Sequence, residues 1–164
     1  MLSSDSFLSP VSLDIFSLKA FENIAKWIDG WWVDWQTGIN GAKNKKNIPN
    51  LKYSKPDFIG YVTQQYLAKR DVLGQRRAVQ AYEAIRRRID DVIDRNGLAS
   101  NIPEDAYEIG TVPNLFSLVP MSQSNHAPIF RLQARDGVVG AHFLKVKEAG
   151  EIFESVAEVF LRRA

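Results

Sequence analysis

Apolar positions near the start of the chain predict a buried strand that leads directly into an amphipathic helix. Residues 7–18 carry this pattern, and Asp14 or Ser17 is placed to cap a helix that continues to about Trp35. A parallel strand needs neighbours on its edges and helices on its faces, yet only six residues precede this one. The strand therefore forms a sheet edge, or the chain is the later half of a larger domain.

The apolar residues of this first helix recur at three- and four-residue spacing and form one stripe. Its members are Phe21, Ile24, Ala25, Ile28, Trp32 and Trp35. Two further tryptophans, Trp27 and Trp31, lie off the stripe. Two interpretations stay open for this pair: a partly exposed rim of the core, or a contact surface for a partner.

Further along the chain the pattern predicts further elements in this order: a polar break (37–56), a strand (58–62), a long helix (75–95), a strand (107–112), a loop (117–125), a short strand (128–130) and a final helix (138–164). Strands that alternate with helices are typical of an α/β fold in which a parallel sheet is flanked by helices. The length of 164 residues fits one domain.

Composition excludes several classes of function. The chain has no cysteine, which excludes disulfides, thiolate catalysis and cysteine-ligated metal. Lysine and arginine number 21 against 19 acidic residues, so net charge alone does not favour nucleic acid. The segment at residues 16–35 carries five charges, too many for a membrane span. We therefore expect a cytoplasmic protein without a membrane segment.

The sequence contains few candidates for catalytic or metal-binding residues. His126 and His142 are the only histidines, and their spacing to each other and to acidic residues matches no transition-metal motif. His126 is predicted in a loop and His142 at a helix start. No GxSxG elbow and no glycine-rich phosphate loop occurs. The sequence thus predicts no catalytic residue and no metal site.

Polar side chains follow two of the predicted strands at the point where each strand ends. Gln64 and Gln65 follow the strand at residues 58–62, and Pro113 and Asn114 follow the strand at residues 107–112. Parallel sheets of this kind bind ligands beyond the carboxyl ends of their strands. Ordinary solvation of a strand end remains an equal alternative for the two glutamines.

A cluster of basic residues lies between these two strands. It consists of Lys69, Arg70, Arg76, Arg77, Arg86, Arg87 and Arg88. One interpretation is a solvated helix face whose charge is partly offset by neighbouring aspartates. The other is non-specific, salt-sensitive contact with the phosphates of nucleic acid.

Several motifs resemble the second half of ParA/Soj-type partition ATPases, members of the deviant Walker-A group that includes MinD. The resemblance covers roughly residues 5–163, and its order and spacing carry more weight than any single motif. The matching segments are Phe7-Leu8-Ser9-Pro10 with residues 14–24, Phe58-Ile59-Gly60-Tyr61-Val62, Ile109-Gly110-Thr111-Val112-Pro113-Asn114, Ala127-Pro128-Ile129-Phe130 and residues 136–142.

This resemblance implies one partial domain at residues 1–164, the C-terminal half of a P-loop NTPase fold. Gln64, Gln65, Pro113 and Asn114 would flank the adenine of ATP, and the basic cluster would contact DNA. Homodimerisation on ATP binding, a ParB-like partner and association with the nucleoid are implied as well. The phosphate loop, the Walker B strand and the Mg²⁺ ligands of the family would precede Met1. ATP and Mg²⁺ therefore belong to the intact parent, and this chain alone is expected not to hydrolyse ATP.

Two alternatives to a partition ATPase stay open. The chain is a catalytically inactive nucleic-acid-binding or protein-binding module derived from that fold, or it is a folding partner for a separately encoded N-terminal half. The first alternative predicts binding that is insensitive to ATP. An exposed parallel edge would in either case favour association.

Overall fold

The computed structural model describes residues 5–41, 55–66, 68–70, 76–78, 80–99, 102 and 107–164. In chain order, its helices and strands are β1 (Ser6–Ser12), α1 (Ile15–Gly41), β2 (Asp57–Tyr66), β3 (Ala68–Arg70), β4 (Arg76–Ala78), α2 (Gln80–Arg95), β5 (Glu108–Pro113), α3 (Leu118–Asn125) and α4 (His142–Arg163). Two short 3₁₀ helices, Ile129–Arg131 and Ala134–Asp136, lie between α3 and α4.

A parallel sheet with the strand order β1-β2-β5 forms the centre of the fold, and helices flank it. Buried residues of α1 and α2 pack with residues of all three strands or their ends in one core cluster. A second cluster lies among α3, α4 and the segments between them. The predicted α/β class with a parallel sheet is therefore confirmed, and β1 is an edge strand within the described residues.

Helix α1 begins as the sequence predicts and ends later. The Oδ1 atom of Asp14 accepts a hydrogen bond of 2.7 Å from the backbone N–H of Ser17, so Asp14 is the capping residue. The helix continues beyond the predicted end to Gly41. Neither α1, with its 27 residues, nor any other helix in the described ranges is long and apolar enough to cross a membrane.

The two tryptophans off the main stripe of α1 lie at the surface. Trp27 is 56% exposed and Trp31 is 41% exposed. Their rings stack on each other with centroids 6.3 Å apart. Both interpretations of the pair, core rim and contact surface, remain compatible with this position.

A β-bulge in β2 decides which side chains enter the core. The register with β1 passes directly from Phe58 to Gly60, so Ile59 has no partner in β1. Side chains alternate between the faces of a strand, and residues three positions apart normally lie on opposite faces. The extra residue brings Phe58 and Tyr61 into the same core cluster under α1 and α2.

Two predicted boundaries were wrong in this part of the chain. The strand predicted at residues 58–62 continues to Tyr66, so Gln64 and Gln65 lie within β2 and do not follow it. Residues 76–78, predicted as the start of the second helix, form β4, and α2 begins at Gln80. Strand β4 pairs in antiparallel orientation with β3. Backbone hydrogen bonds to a neighbouring strand outweigh the high helix propensity of arginine and alanine over three residues. Position 75 lies outside the described residues.

The predicted short strand at residues 128–130 was also wrong, because this segment closes on itself. The N–H of Arg131 donates to the carbonyl oxygen of Pro128 at 2.8 Å, which defines a 3₁₀ turn. The ring of Phe130 packs against Phe153 of α4, with centroids 5.5 Å apart. Local hydrogen bonds and one aromatic contact thus stabilise this segment as a turn. The segment is too short for its apolar pattern to distinguish a turn from a strand.

Two predicted irregular segments are partly helical. The segment at residues 117–125, predicted as a loop, contains α3, and residues 37–41 of the predicted polar break continue α1. The rest of that break, except for positions 55 and 56, lies outside the described residues; these are residues 42–54. The predicted final helix is α4, which begins four residues after the predicted start at position 138. His142 is its first residue, so the prediction of that histidine at a helix start is confirmed.

Candidate functional site

The four residues predicted at strand ends lie together at the carboxyl edge of the sheet. Tyr66 at the end of β2 pairs with Pro113 at the end of β5, which places Gln64 and Gln65 next to the exit of β5. Both glutamines are exposed, whereas Pro113 and Asn114 are half-buried. The structure therefore brings all four to one edge, where open α/β sheets bind ligands.

The backbone is irregular at this edge. Between the pairs Thr63–Thr111 and Tyr66–Pro113, β2 has two residues where β5 has one. Gln65, one of the two, has a φ of 55°, in the left-handed region that residues with a Cβ adopt at a cost of about 1 kcal/mol or more. Bulges and strained residues of this kind recur next to binding sites, where they redirect a side chain.

The turn after β5 holds a second left-handed residue. Phe116 has a φ of 43° and is 60% exposed. The Oδ1 atom of Asn114 accepts a hydrogen bond of 2.9 Å from the backbone N–H of Phe116. The Nζ atom of Lys145 lies 5.6 Å from the centroid of the Phe116 ring, within the range of a cation–π contact.

A serine and a histidine meet beside this turn. The Oγ atom of Ser117 lies 3.2 Å from the Nε2 atom of His142, the first residue of α4. The Nδ1 atom of His142 is buried and has no hydrogen-bond partner among the described residues. Sequence reasoning missed this pair, because 25 residues separate the two positions and no motif links them.

A network of polar side chains lies beneath the strands on the α2 side. The hydroxyl of Tyr61 donates to the Oδ1 atom of Asp90 at 2.9 Å. Burial, followed by the negative charge of Asp90, raises the pKa of Tyr61 above its ordinary value. Burial also raises the pKa of Asp90, although the Tyr61 hydrogen bond and the charge of Arg86 oppose this effect.

Arg86 is already paired with carboxylates. Its guanidinium lies 2.9 Å from Glu83 and 3.2 Å from Glu108, and Glu108 also accepts a hydrogen bond of 2.8 Å from Thr111. Burial lowers the pKa of Arg86, but the two carboxylates outweigh burial and raise it. Arg86 is thus less available to an external phosphate than the sequence alone indicates.

The other six members of the basic cluster fall into two groups. Arg87 and Arg88 are exposed on α2. The remaining four lie in β3 and β4, where the register sets Lys69 opposite Arg77 and Arg70 opposite Arg76.

Acidic residues and histidines are not clustered in the part of the chain that the structure describes. No group of three or more histidine, aspartate or glutamate residues in the described ranges is placed to hold a metal ion. His126 is the left-handed cap residue of α3, consistent with its predicted loop position.

A cavity of about 390 Å³ lies between β5 and α4. It is lined by Gly110, Thr111, Glu148, Glu151, Ile152, Ser155 and Val156. None of the four strand-end residues lines it, and its two glutamates would repel a phosphate. We therefore take the strand edge, and not this cavity, as the candidate ligand site.

Comparison with protein-family models finds no match, and comparison with curated proteins finds none either. Among solved structures, the chain is similar to protein DIP2308 from Corynebacterium diphtheriae. The two are 25% identical over 71% of this chain, with a TM-score of 0.47. This chain spans 39% of the length of that protein. A TM-score this low does not establish a shared fold, so the residues of this chain alone support the function proposed below.

Proposed function

We propose that this chain supplies the base-binding half of an ATP site in a ParA-like partition ATPase. In this proposal Gln64, Gln65, Pro113 and Asn114 contact the adenine, and the basic cluster contacts DNA. The phosphate loop and the Mg²⁺ ligands come from the remaining part of the parent protein, a P-loop NTPase that dimerises on ATP. Its partners would be nucleoid DNA and a ParB-like protein.

The observation that carries this proposal is the convergence of the four strand-end residues at one irregular edge of a parallel sheet. The amides of Gln64, Gln65 and Asn114 offer donors and acceptors to the edge of a base. The left-handed backbone at Gln65 is a local cost that a binding site would explain. These features support recognition of a base and supply no phosphate cradle.

We therefore expect residues 1–164 to bind adenine nucleotides with an affinity that depends on the base. At an ionic strength that screens the basic residues, AMP, ADP and ATP should have similar dissociation constants, because the chain carries no glycine-rich phosphate loop. The Gln64→Ala/Gln65→Ala variant should bind AMP about tenfold more weakly, since two amide contacts are lost. Isothermal titration calorimetry measures both effects.

Gln36→Ala on the exposed part of α1 is the matched control and should bind AMP as the wild type does. Two results would contradict the proposal: no adenine nucleotide binds, or ATP binds far more tightly than AMP. A third is ATP hydrolysis by the purified chain that survives repurification, because the chain would then contain a phosphate site that its sequence does not predict.

A second candidate function is an inactive nucleic-acid-binding module. The two exposed arginines of α2, Arg87 and Arg88, favour it. In this case DNA binding would be insensitive to ATP. A titration of DNA binding with and without ATP distinguishes this module from a nucleotide-dependent protein.

For either function, we expect the variant Arg87→Ala/Arg88→Ala to reduce the salt dependence of DNA binding. Each phosphate contact contributes about −0.9 to the slope of log K against log salt concentration. Loss of both arginines should therefore make the slope less steep by about 2, measured by fluorescence anisotropy with duplex DNA. The control Arg131→Ala/Arg162→Ala removes the same charge from other exposed positions and should change the slope less. Equal slopes for the wild type and the Arg87→Ala/Arg88→Ala variant would remove α2 from the interface.

A further inference from the structure

Phe116 places an exposed aromatic ring at the carboxyl edge of the sheet. It follows β5 by three positions and is 60% exposed, unlike Leu115 and Leu118 beside it, which are buried. The flanking leucines anchor the turn in the core cluster under α4. The ring is therefore held on a fixed support while it faces solvent.

The backbone of this turn is strained and yet fixed. Phe116 adopts a left-handed φ of 43°, which is uncommon for a residue with a Cβ and rarer for a bulky one. The backbone N–H of Phe116 donates to the side-chain amide oxygen of Asn114 at 2.9 Å, and this hydrogen bond maintains the conformation. Gln65, at the exit of the neighbouring strand, is also left-handed. Two strained residues thus lie at adjacent strand ends.

One cationic side chain lies over the ring, and a polar pair begins at the next residue of the turn. Lys145 lies 5.6 Å from the ring centroid, and the Ser117 hydroxyl contacts His142 one residue further along the turn. A flat aromatic surface with hydrogen-bonding groups at its margin and a cation nearby matches the needs of a nucleobase that carries a phosphate. A purely apolar partner would gain nothing from the lysine, the serine or the histidine.

We propose that Phe116 is a stacking platform for a nucleobase. The base stacks on the exposed ring, the strand-end amides contact its edge, and Lys145 attracts the attached phosphate. A mononucleotide and a single-stranded nucleic acid both present such a base. For a mononucleotide, the inference rests on the function proposed above; for a nucleic acid, it is independent of that function.

The test compares Phe116→Leu with Phe116→Trp. Leucine keeps an apolar side chain at a left-handed position but removes the π face, whereas tryptophan keeps a stacking surface. We expect Phe116→Leu to weaken binding by about tenfold and Phe116→Trp to retain wild-type affinity. AMP and a single-stranded oligodeoxyadenylate are the two probes, measured by calorimetry and by fluorescence anisotropy.

Trp27→Leu is the control, since it removes an equally exposed aromatic ring from the middle of α1, and it should change neither affinity. Thermal unfolding of every variant checks that the fold persists. Weaker binding of AMP alone identifies the mononucleotide as the source of the base, and weaker binding of the oligonucleotide alone identifies nucleic acid. Unchanged affinity of Phe116→Leu for both probes, or a wild type that binds neither probe, would overturn the inference.

The outcomes also separate this inference from the proposed function. If AMP binding is lost in Gln64→Ala/Gln65→Ala but not in Phe116→Leu, the nucleotide site stands and the stacking platform is wrong. If the wild type binds no mononucleotide but its binding to single-stranded DNA depends on Phe116, the platform stands and the adenine site is wrong.

Discussion

Replacement of Gly60 by alanine is expected to lower the free energy of unfolding by about 3 kcal/mol or more. Gly60 has a φ of 133°, a conformation that residues with a Cβ rarely adopt. A Cβ at this position would lie 2.6 Å from Cγ1 of Ile109 and 2.7 Å from the carbonyl oxygen of Tyr107. Backbone strain and overpacking against β5 therefore act together.

The consequence extends beyond the local contact because Gly60 belongs to the β2 bulge. If the strand straightens to accept a Cβ, Phe58 and Tyr61 no longer share one face, and one of them leaves the core under α1 and α2. Chemical denaturation followed by far-UV circular dichroism measures the loss. A folded variant with wild-type stability would show that the bulge tolerates a side chain.

Gly30→Ala provides the matched control for this substitution. Gly30 lies inside α1, and a Cβ there would meet no atom within 4 Å. The same chemical change should therefore stabilise the protein, by about 0.5–1 kcal/mol, because alanine favours the helix. If Gly60→Ala lowers the free energy of unfolding and Gly30→Ala raises it, the loss at Gly60 is due to the geometry of the bulge and not to a general effect of replacing glycine.

Tyr61→Phe is expected to lower the free energy of unfolding at neutral pH by about 1–3 kcal/mol. The substitution removes the hydroxyl that donates to Asp90 at 2.9 Å and leaves a partly buried carboxylate without that donor. The ring itself, which is 1% exposed, stays packed against Phe21. The loss therefore reports on the hydrogen bond and not on the aromatic packing.

The pH dependence of the wild type follows from the two raised pKa values. Burial raises the pKa of Asp90 above 3.8, so its contribution to stability is fully present below pH 3.8 and declines as pH rises through the folded-state pKa. Burial likewise raises the pKa of Tyr61 above 10, so stability declines on further alkalinisation as the phenol ionises. Denaturation at a series of pH values should show both slopes.

Asp90→Asn separates the two effects. The asparagine amide oxygen still accepts from the Tyr61 hydroxyl, so the variant should be at least as stable as the wild type at neutral pH. Its acid slope should be flatter, since no carboxyl titrates at this position, whereas its alkaline slope should remain. Identical acid slopes in the variant and the wild type would mean that Asp90 does not titrate abnormally.

Several elements of the fold could be predicted because their signals are local. The strand at residues 58–62 is apolar at each position except the glycine, which is typical of a strand buried on both faces. The Asp14 cap depends on a side chain and a backbone N–H three residues apart. The short strand β4 and the 3₁₀ turn at Ile129–Arg131 escaped prediction, because three-residue segments have no periodicity to detect.

Part of the candidate site could also be predicted, because the signals for it are local in the sequence. A strand end determines where polar residues such as Gln64 and Asn114 emerge, and parallel strands bring those ends to one edge. The exposure of Phe116 and its cation–π contact with Lys145 depend on how α4 packs behind the turn. The pairing of Arg86 with Glu108 likewise joins residues that are 22 positions apart.

The amino-acid pattern was sufficient to predict the α/β class, the Asp14 cap and the approximate ends of β2 and β5, because periodicity and turn chemistry act between near neighbours in the chain. The packed fold was needed to reveal that a bulge turns Tyr61 toward Asp90, 29 residues away, and that a strained turn exposes the ring of Phe116. Such features depend on strand register and on packing between distant segments, and no local pattern of residue types specifies either.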